Sequence, residues 1–292
     1  MVPDFLPESP PVFILKPTDQ PVLVLALGDF GFGTDEDRSL AGTGQQRVAA
    51  AMLRSHRRRP YDLALTLGDN FYPNGMESPT DARWQSLWAD LYDDLDLEFY
   101  ASLGNHDWNQ VDSPAAEILH SQLSSSWRMP ASYYTFLAGP AQFFALDTTA
   151  VSAAQLQWLD EELEASRARW KIVYGHHPIY SGGTHGDNPR LIEILLPILK
   201  DRADIYLAGH DHDMQHLGPE GGVHFFINGA GGAPLRESPP GPRTLFSVSV
   251  HGFLSLEADA ERMEVALIDT DLNPLYRYTL TGPDLEPGER RT

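Results

Sequence analysis

VLVLALGDFG, residues 22–31, decides how this chain folds. Six apolar residues, Val22 to Leu27, run without a polar break and stop at Gly28-Asp29. An apolar run of that length, closed by Gly, reads as a strand buried on both faces. The arrangement is repeated four times downstream. Leu63–Leu67 ends in Gly68-Asp69, Phe99–Leu103 in Gly104-Asn105, Ile172–Tyr174 in Gly175-His176, and Ile205–Ala208 in Gly209-His210.

Helical spacing occupies the gaps. It covers Gln45–His56, Asp81–Tyr92, Leu191–Leu199 and Ala153–Arg169, the last with Leu156, Leu159 and Leu163 on one face. Strands alternating with helices predict α/β units. The last third changes character: Val223–Asn228, Thr244–Val250, Phe253–Glu257, Met263–Ile268 and Tyr276–Leu280 read as strands with little helix. The expected fold class is therefore α/β (an α+β sandwich), two mixed sheets packed face to face with helices outside. One domain is expected over residues 21–281. A Pro-rich extended arm over 1–20 and a loose tail over 282–292 flank it.

The composition is that of an ordinary globular protein, with 42% hydrophobic and 21% charged residues among 292. The longest apolar runs are strand-sized and fall well short of the roughly 20 residues that span a bilayer, so no membrane partner is expected. The formal charge is −20, with 21 Lys and Arg against 41 Asp and Glu. That balance argues against nucleic acid, whose affinity rests on Lys and Arg contacts to phosphate. It also poses a problem. An acidic chain repels phosphorylated substrates at long range, so turnover of one would need concentrated positive charge, and metal ions are the obvious source. There are no cysteines. Disulfides and thiolate metal sites are excluded, and a reducing compartment such as the cytoplasm is favoured. The stretch MVPDFLPESPPVF lacks a basic region followed by a long apolar segment, so no secretory signal is visible in it. A secreted or periplasmic chain with its leader trimmed would look the same.

The chemistry is expected at the strand ends. Five strands present Asp, Asn or His just past their last residues, and in open α/β sheets ligands bind beyond the carboxyl ends of strands. A single strand-end Asp is an ordinary turn or cap residue; five, each preceded by Gly, are hard to explain that way. Carboxylates, an amide and imidazoles suit hard to borderline ions such as iron, manganese and zinc. The donors exceed the three or four that one ion needs, so two ions sharing a carboxylate is the economical reading.

These blocks carry a resemblance. Gly28-Asp29-Phe30-Gly31, Gly68-Asp69-Asn70-Phe71-Tyr72, Gly104-Asn105-His106-Asp107, Gly175-His176-His177-Pro178 and Gly209-His210-Asp211-His212 resemble, in order, the five blocks of the calcineurin-like metallophosphoesterases. More narrowly they are similar to purple acid phosphatases of the small, tartrate-resistant type. The absence of cysteine departs from secreted members and bears on location, not on chemistry.

The resemblance implies roles. Asp29, Asp69, Tyr72 and His212 would hold the first ion, Asp69 would bridge, and Asn105, His176 and His210 would complete the second. Tyr72 would supply a tyrosinate that favours iron(III), with Fe(II), Zn or Mn as the partner ion. Three ligand charges against five metal charges leave the site about +2, a local excess that outweighs diffuse surface charge screened beyond about 8–10 Å. His106 and His185 match substrate-side histidines, expected to bind substrate or protonate the leaving group. Asp107 is expected to orient His106 or a neighbouring ligand. His177 replaces the family's usual Tyr, and its role is open.

Other residues have plainer readings. His56, beside Arg57, Arg58 and Arg59, is expected to be a solvated helix end favoured by the dipole. His120, His224 and His251 are expected to be structural or surface residues, Gly229–Gly232 a loop, and Trp84, Trp88 and Leu91 core. The function implied is hydrolysis of small phosphate monoesters by a metal-bound hydroxide, without a covalent enzyme intermediate. The alternatives are a phosphodiesterase or nucleotide pyrophosphatase on a divalent pair, or a non-catalytic scaffold on the same fold.

Overall fold

The computed structural model describes residues 12–32 and 43–282. The proposed tail, and residues 1–11 of the proposed arm, lie outside the described residues apart from Gly282. Val12–Lys16 (β1) of that arm is a strand paired in parallel with another strand, Tyr134–Ala138 (β6).

The stretch that opened the reading is the middle of a seven-stranded sheet. Val22–Leu27 (β2) is followed by Leu63–Leu67 (β3), Phe99–Ser102 (β4) and Trp127–Arg128 (β5), all parallel. On the other side of β2 run Gly252–Ala258 (β13), Arg262–Asp269 (β14) and Pro274–Thr281 (β15), antiparallel, giving the order β15-β14-β13-β2-β3-β4-β5. Every residue of β2, β3 and β4 is buried, which is why their sequences are apolar runs and not alternations.

The second sheet has eight strands. Besides β1 and β6 it contains Ala141–Ala145 (β7), Trp170–Tyr174 (β8), Ile205–Ala208 (β9), Met214–Glu220 (β10), Val223–Asn228 (β11) and Thr244–Val248 (β12). Their order is β1-β6-β7-β8-β9-β11-β10-β12. The sheets meet face to face. The Tyr134 hydroxyl donates to the Ala101 carbonyl at 2.8 Å, and the Phe13 and Tyr100 rings lie 5.8 Å apart across the interface. Fully burying each such ring contributes roughly 1.5–3 kcal/mol. The sheets are also tied where β2 and β11 end. Gly28 N donates to the Asn228 carbonyl at 2.9 Å, and Asn228 Nδ2 returns a bond to the Ala26 carbonyl at 3.0 Å. This tie brings the carboxyl ends of strands from both sheets to one rim.

Helices cover the outer faces. Gly44–Arg58 (α1) is capped by the Thr43 hydroxyl and buries Val48 and Met52. Asp90–Tyr92 (α2) and Ser113–His120 (α3) lie farther along. Ala153–Ala165 (α4), Pro189–Ile194 (α5) and Leu196–Leu199 (α6) bury Leu159, Leu163 and Leu196 in a second apolar cluster with Val173 and Phe225.

Four expectations need correction. The helix expected to reach Arg169 ends at Ala165, because Ser166 turns extended while its hydroxyl donates to Gln142 and accepts from Ala168 N. The helix expected over Leu191–Leu199 is broken in two, and Pro197, which has no N–H, stands at the start of the second piece. The segment expected to be helical from Asp81 starts at Trp84 as a π-helix, Trp84–Ala89, because the Asp81 carboxylate accepts the Glu77 and Arg83 amides in a turn. His56 is half-buried, and its Nδ1 accepts from Tyr61 N at 3.1 Å. A ring nitrogen that accepts an amide proton carries none of its own, so His56 is an acceptor here and not a helix-end cation, and burial lowers its pKa in the same sense. Trp84 and Trp88 are core, as expected.

Candidate metal centre

The seven expected ligands converge on the rim where the two sheets are tied. Asp29 follows β2, Asp69 and Tyr72 follow β3, Asn105 follows β4, His176 follows β8, and His210 and His212 follow β9. Their backbones are unusual. Asp29, Asp69 and His210 have φ of 57°, 49° and 70°, the left-handed region that non-Gly residues avoid. Such strain costs of order 1–3 kcal/mol per residue and persists where the surroundings over-determine it. The glycines permit close approach: a Cβ on Gly104 would stand 2.1 Å from Asp69 N, and one on Gly209 would stand 2.5 Å from Asp29 Oδ2.

The side chains form two groups sharing one oxygen. In the first, the Tyr72 hydroxyl lies 2.9 Å from Asp29 Oδ1, 3.1 Å from Asp69 Oδ2 and 3.4 Å from His212 Nε2. In the second, His176 Nε2 lies 3.1 Å from Asn105 Oδ1, 3.1 Å from His210 Nδ1 and 3.2 Å from Asp69 Oδ2. Asp69 Oδ2 is common to both. Outer contacts fix the rings: His176 Nδ1 faces the Leu67 carbonyl at 2.9 Å and His212 Nδ1 the Pro234 carbonyl at 2.8 Å. Such bonds leave the opposite nitrogen of each imidazole for an ion.

The donor set fits two cations. Asp29 and Asp69 are buried, and among the described residues their ion pairs are with histidines and none is with Lys or Arg. Burying two carboxylates without a fixed cation is costly, and a bound ion is what would offset it. The titration directions agree. Burial opposes ionisation of Asp69, yet His176 holds it well below the usual carboxylate range. Burial likewise opposes the charge of His176, but Asp69 and Asp29 raise it to about 9, so a proton stands in for a cation. Burial, followed by Asp29 and Asp69, pushes the Tyr72 phenol far up, which is the response expected beside two anions.

Comparison with known proteins identifies the family. Residues 22–214 match the family model described as calcineurin-like phosphoesterase. Purple acid phosphatase 17 of Arabidopsis thaliana is 31% identical, covering 89% of this chain and 85% of its own. Tartrate-resistant acid phosphatase type 5 of Sus scrofa is 30% identical over 75% of each. The chain belongs to the purple acid phosphatases. Among solved structures, purple acid phosphatase PPD1 from yellow lupin superposes with a TM-score of 0.72 at 17% identity, covering 91% of this chain and 55% of that one. GAP50, described as the anchor in the inner membrane complex of Plasmodium, superposes with 0.79 at 23% identity, covering 90% of each. These two likenesses are of fold. Family membership makes the chain a hydrolase of phosphate esters with a dimetal centre.

The remaining candidates surround this purple acid phosphatase centre. His106 is partly exposed. Its Nδ1 bonds the Pro73 carbonyl at 2.7 Å, and its Nε2 lies 4.0 Å from Asp69 Oδ2. Asp107 is fully buried and does not bond the His106 ring. It accepts from the amides of Asn70, Phe71 and Gly104, clamping the loops that carry Asp69 and Asn105. Beneath it lies Glu117, linked through Asn70 Nδ2, and burial raises the pKa of both acids. His177 comes within 4.8 Å of His176 and His210, nitrogen to nitrogen, while its Nδ1 bonds Thr148 Oγ1 at 3.0 Å. Burial, then His176, lowers His177 to about 3, so it is a neutral imidazole. His185 stacks on His210, with ring centroids 3.9 Å apart.

Sequence reasoning missed Arg236, Glu117, Thr148 and Asp147. Asp147 is buried, accepts from Trp108 Nε1 at 3.1 Å, and is raised by burial to about 6. No spacing rule marks these residues; folding brings them in from distant segments, Glu117 from α3 and the others from loops.

Proposed function

We propose that the chain hydrolyses small phosphate monoesters at an iron(III)–divalent pair, with Tyr72 as the iron(III) ligand. The observation that carries this reading is the shared oxygen, Asp69 Oδ2, within 3.1 Å of the Tyr72 hydroxyl and 3.2 Å of His176 Nε2. It supports one carboxylate bridging two sites, only one of which has a phenol.

When bound, the ions would neutralise phosphate oxygens and lower the pKa of a water to about 7, so that hydroxide is available. The protein's own groups do the rest. His176 and His212 hold positions fixed by their outer contacts, with Asn105 and His210 against His176. Asp107 keeps the two ligand loops in register. His106 binds the Pro73 carbonyl through Nδ1, which leaves Nε2 as the atom that carries a proton toward the departing alkoxide. The large negative charge of the chain is answered locally by the metal pair, not by surface lysines.

The test is hydrolysis of p-nitrophenyl phosphate and bis(p-nitrophenyl) phosphate, after chelation and after return of iron, manganese or zinc. Metal-dependent monoester turnover exceeding diester turnover supports the proposal. A diester preference moves the chain to the phosphodiesterase reading. No turnover with any metal leaves a scaffold. The Tyr72 assignment has its own readout, because a phenolate on iron(III) absorbs visible light: Tyr72→Phe should remove that band.

A further inference from the structure

Arg236 lies beside the centre and has no place in the ligand set. It sits in the loop between β11 and β12, half-buried. Its backbone N donates to the His212 carbonyl at 3.2 Å, and its Nη1 reaches the His210 carbonyl at 3.5 Å, so it is anchored to the segment bearing both ligands. Nη1 also lies 3.1 Å from His185 Nε2 and 3.4 Å from its Nδ1, which sets it over the face of the ring. The edge of that ring is committed. His185 Nδ1 lies 2.8 Å from Asp211 Oδ1, and Asp211 is fully buried and also accepts the His185 amide and the Ser181 hydroxyl.

Hydrogen-bond chemistry then fixes the roles. A carboxylate only accepts, so Nδ1 carries the proton and the ring is held by Asp211. His185 is the middle of an arrangement, Asp211–His185–Arg236, in which the fixed ring supports the guanidinium on its face beside the ligands. Among the described residues no carboxylate pairs with Arg236. In a chain with 41 acidic side chains and 21 basic ones, a cation beside the ligands that no carboxylate among the described residues neutralises is suited to an anion.

We infer that Arg236 binds the substrate phosphoryl group and sets the preference for monoesters over diesters, with His185 as its positioning residue. This rests on the phosphoesterase reading above. A monoester phosphate carries close to two charges at neutral pH and three terminal oxygens; a diester carries one charge and two. A guanidinium meets phosphate with two parallel N–H donors, so it adds more to the dianion.

The experiment uses metal-reconstituted wild type, Arg236→Gln, Arg236→Lys and His185→Ala. Metal content is measured, kcat and KM are measured on both esters, and inorganic phosphate is titrated by calorimetry. Arg236→Gln should raise the monoester KM and weaken phosphate about tenfold to a hundredfold, the range of one charge-assisted pair. The monoester loss should exceed the diester loss by about tenfold, with metal content unchanged. Arg236→Lys should recover part of the difference, and His185→Ala should move the same ratio less far. Equal losses on both esters, or unchanged phosphate affinity in Arg236→Gln, would overturn the inference. A wild type inert toward both esters would overturn the phosphatase reading instead, and the phosphate titration alone would then decide on Arg236.

Discussion

Two groups of imidazoles lie in this fold, and only one is arranged as a metal centre. At the rim, His176, His210 and His212 converge with Asp29 and Asp69. Farther along, His216 of β10 and His224 of β11 are also in contact, Nε2 to Nδ1, at 3.0 Å. The second pair ends differently. His216 Nδ1 meets the Tyr276 hydroxyl at 2.9 Å, His224 Nε2 meets Tyr278 at 3.5 Å, and the His216 ring stacks flat on Phe226 at 4.0 Å. Among the described residues no carboxylate bonds either ring, and neither residue has positive φ. Burial, then His224, pushes His216 down to about 3, and burial lowers His224 as well. The β10–β11 pair joins the second sheet to β15 of the first. The comparison teaches that histidine density marks nothing. Buried carboxylates without Lys or Arg, on strained backbone, separate a metal centre from a polar seam.

The largest effect should come from the shared oxygen. Asp69→Asn is expected to lower kcat/KM about a thousandfold or more and to reduce bound metal, whereas His216→Phe should stay within about threefold of wild type. Comparable losses in the two variants would erase the distinction. Next, His106→Ala should cost roughly a hundredfold to ten-thousandfold on esters with poor leaving groups and much less on p-nitrophenyl phosphate, metal content being unchanged. Equal losses across leaving groups would remove His106 as the acid.

For the seam, His216→Phe should cost about 1–3 kcal/mol of unfolding free energy, from unpaired partners at His224 and Tyr276. The pH dependence sharpens this. The folded pKa of His216 lies below its unfolded value, so its contribution is fully present above about pH 6.5 and is lost as pH falls toward 3. The gap between wild type and His216→Phe in thermal unfolding should therefore narrow on acidification; a gap that widens would contradict the assignment. The smallest effect expected is that of His177→Tyr. Its activity should remain within about threefold, and a marked fall in metal retention would instead make His177 a ligand.

Much of this was legible beforehand because it is local. A buried strand writes itself as an apolar run, and the next residues, Gly28-Asp29 or Gly209-His210, fall at the sheet edge whatever the rest of the fold does. The two-sheet class was readable from the strand-rich last third. Boundaries were less so. Ser166 ended α4 through a bond to Gln142, a residue in another strand, and Pro197 split a helix whose apolar spacing reads straight through it. Of the two partners expected for Asp107, His106 or a neighbouring ligand, the geometry has the second, through the backbone of the loops that carry Asp69 and Asn105. Arg236 was invisible because a lone Arg in a Gly- and Pro-rich loop has no periodicity, and only the tertiary path from β11 brings it to His185. For His185 the sequence indicated proximity to the centre, and its hydrogen bonds indicate orientation.

The central claim is that one carboxylate oxygen serves two ions. The most direct measurement is a metal titration of chelated wild type and Asp69→Asn, following bound metal per chain by elemental analysis and p-nitrophenyl phosphate turnover in the same samples. The account predicts turnover that appears with the second equivalent in wild type, and lower occupancy without turnover in Asp69→Asn. Full activity at one equivalent, or an Asp69→Asn protein that binds two ions and turns over normally, would contradict it.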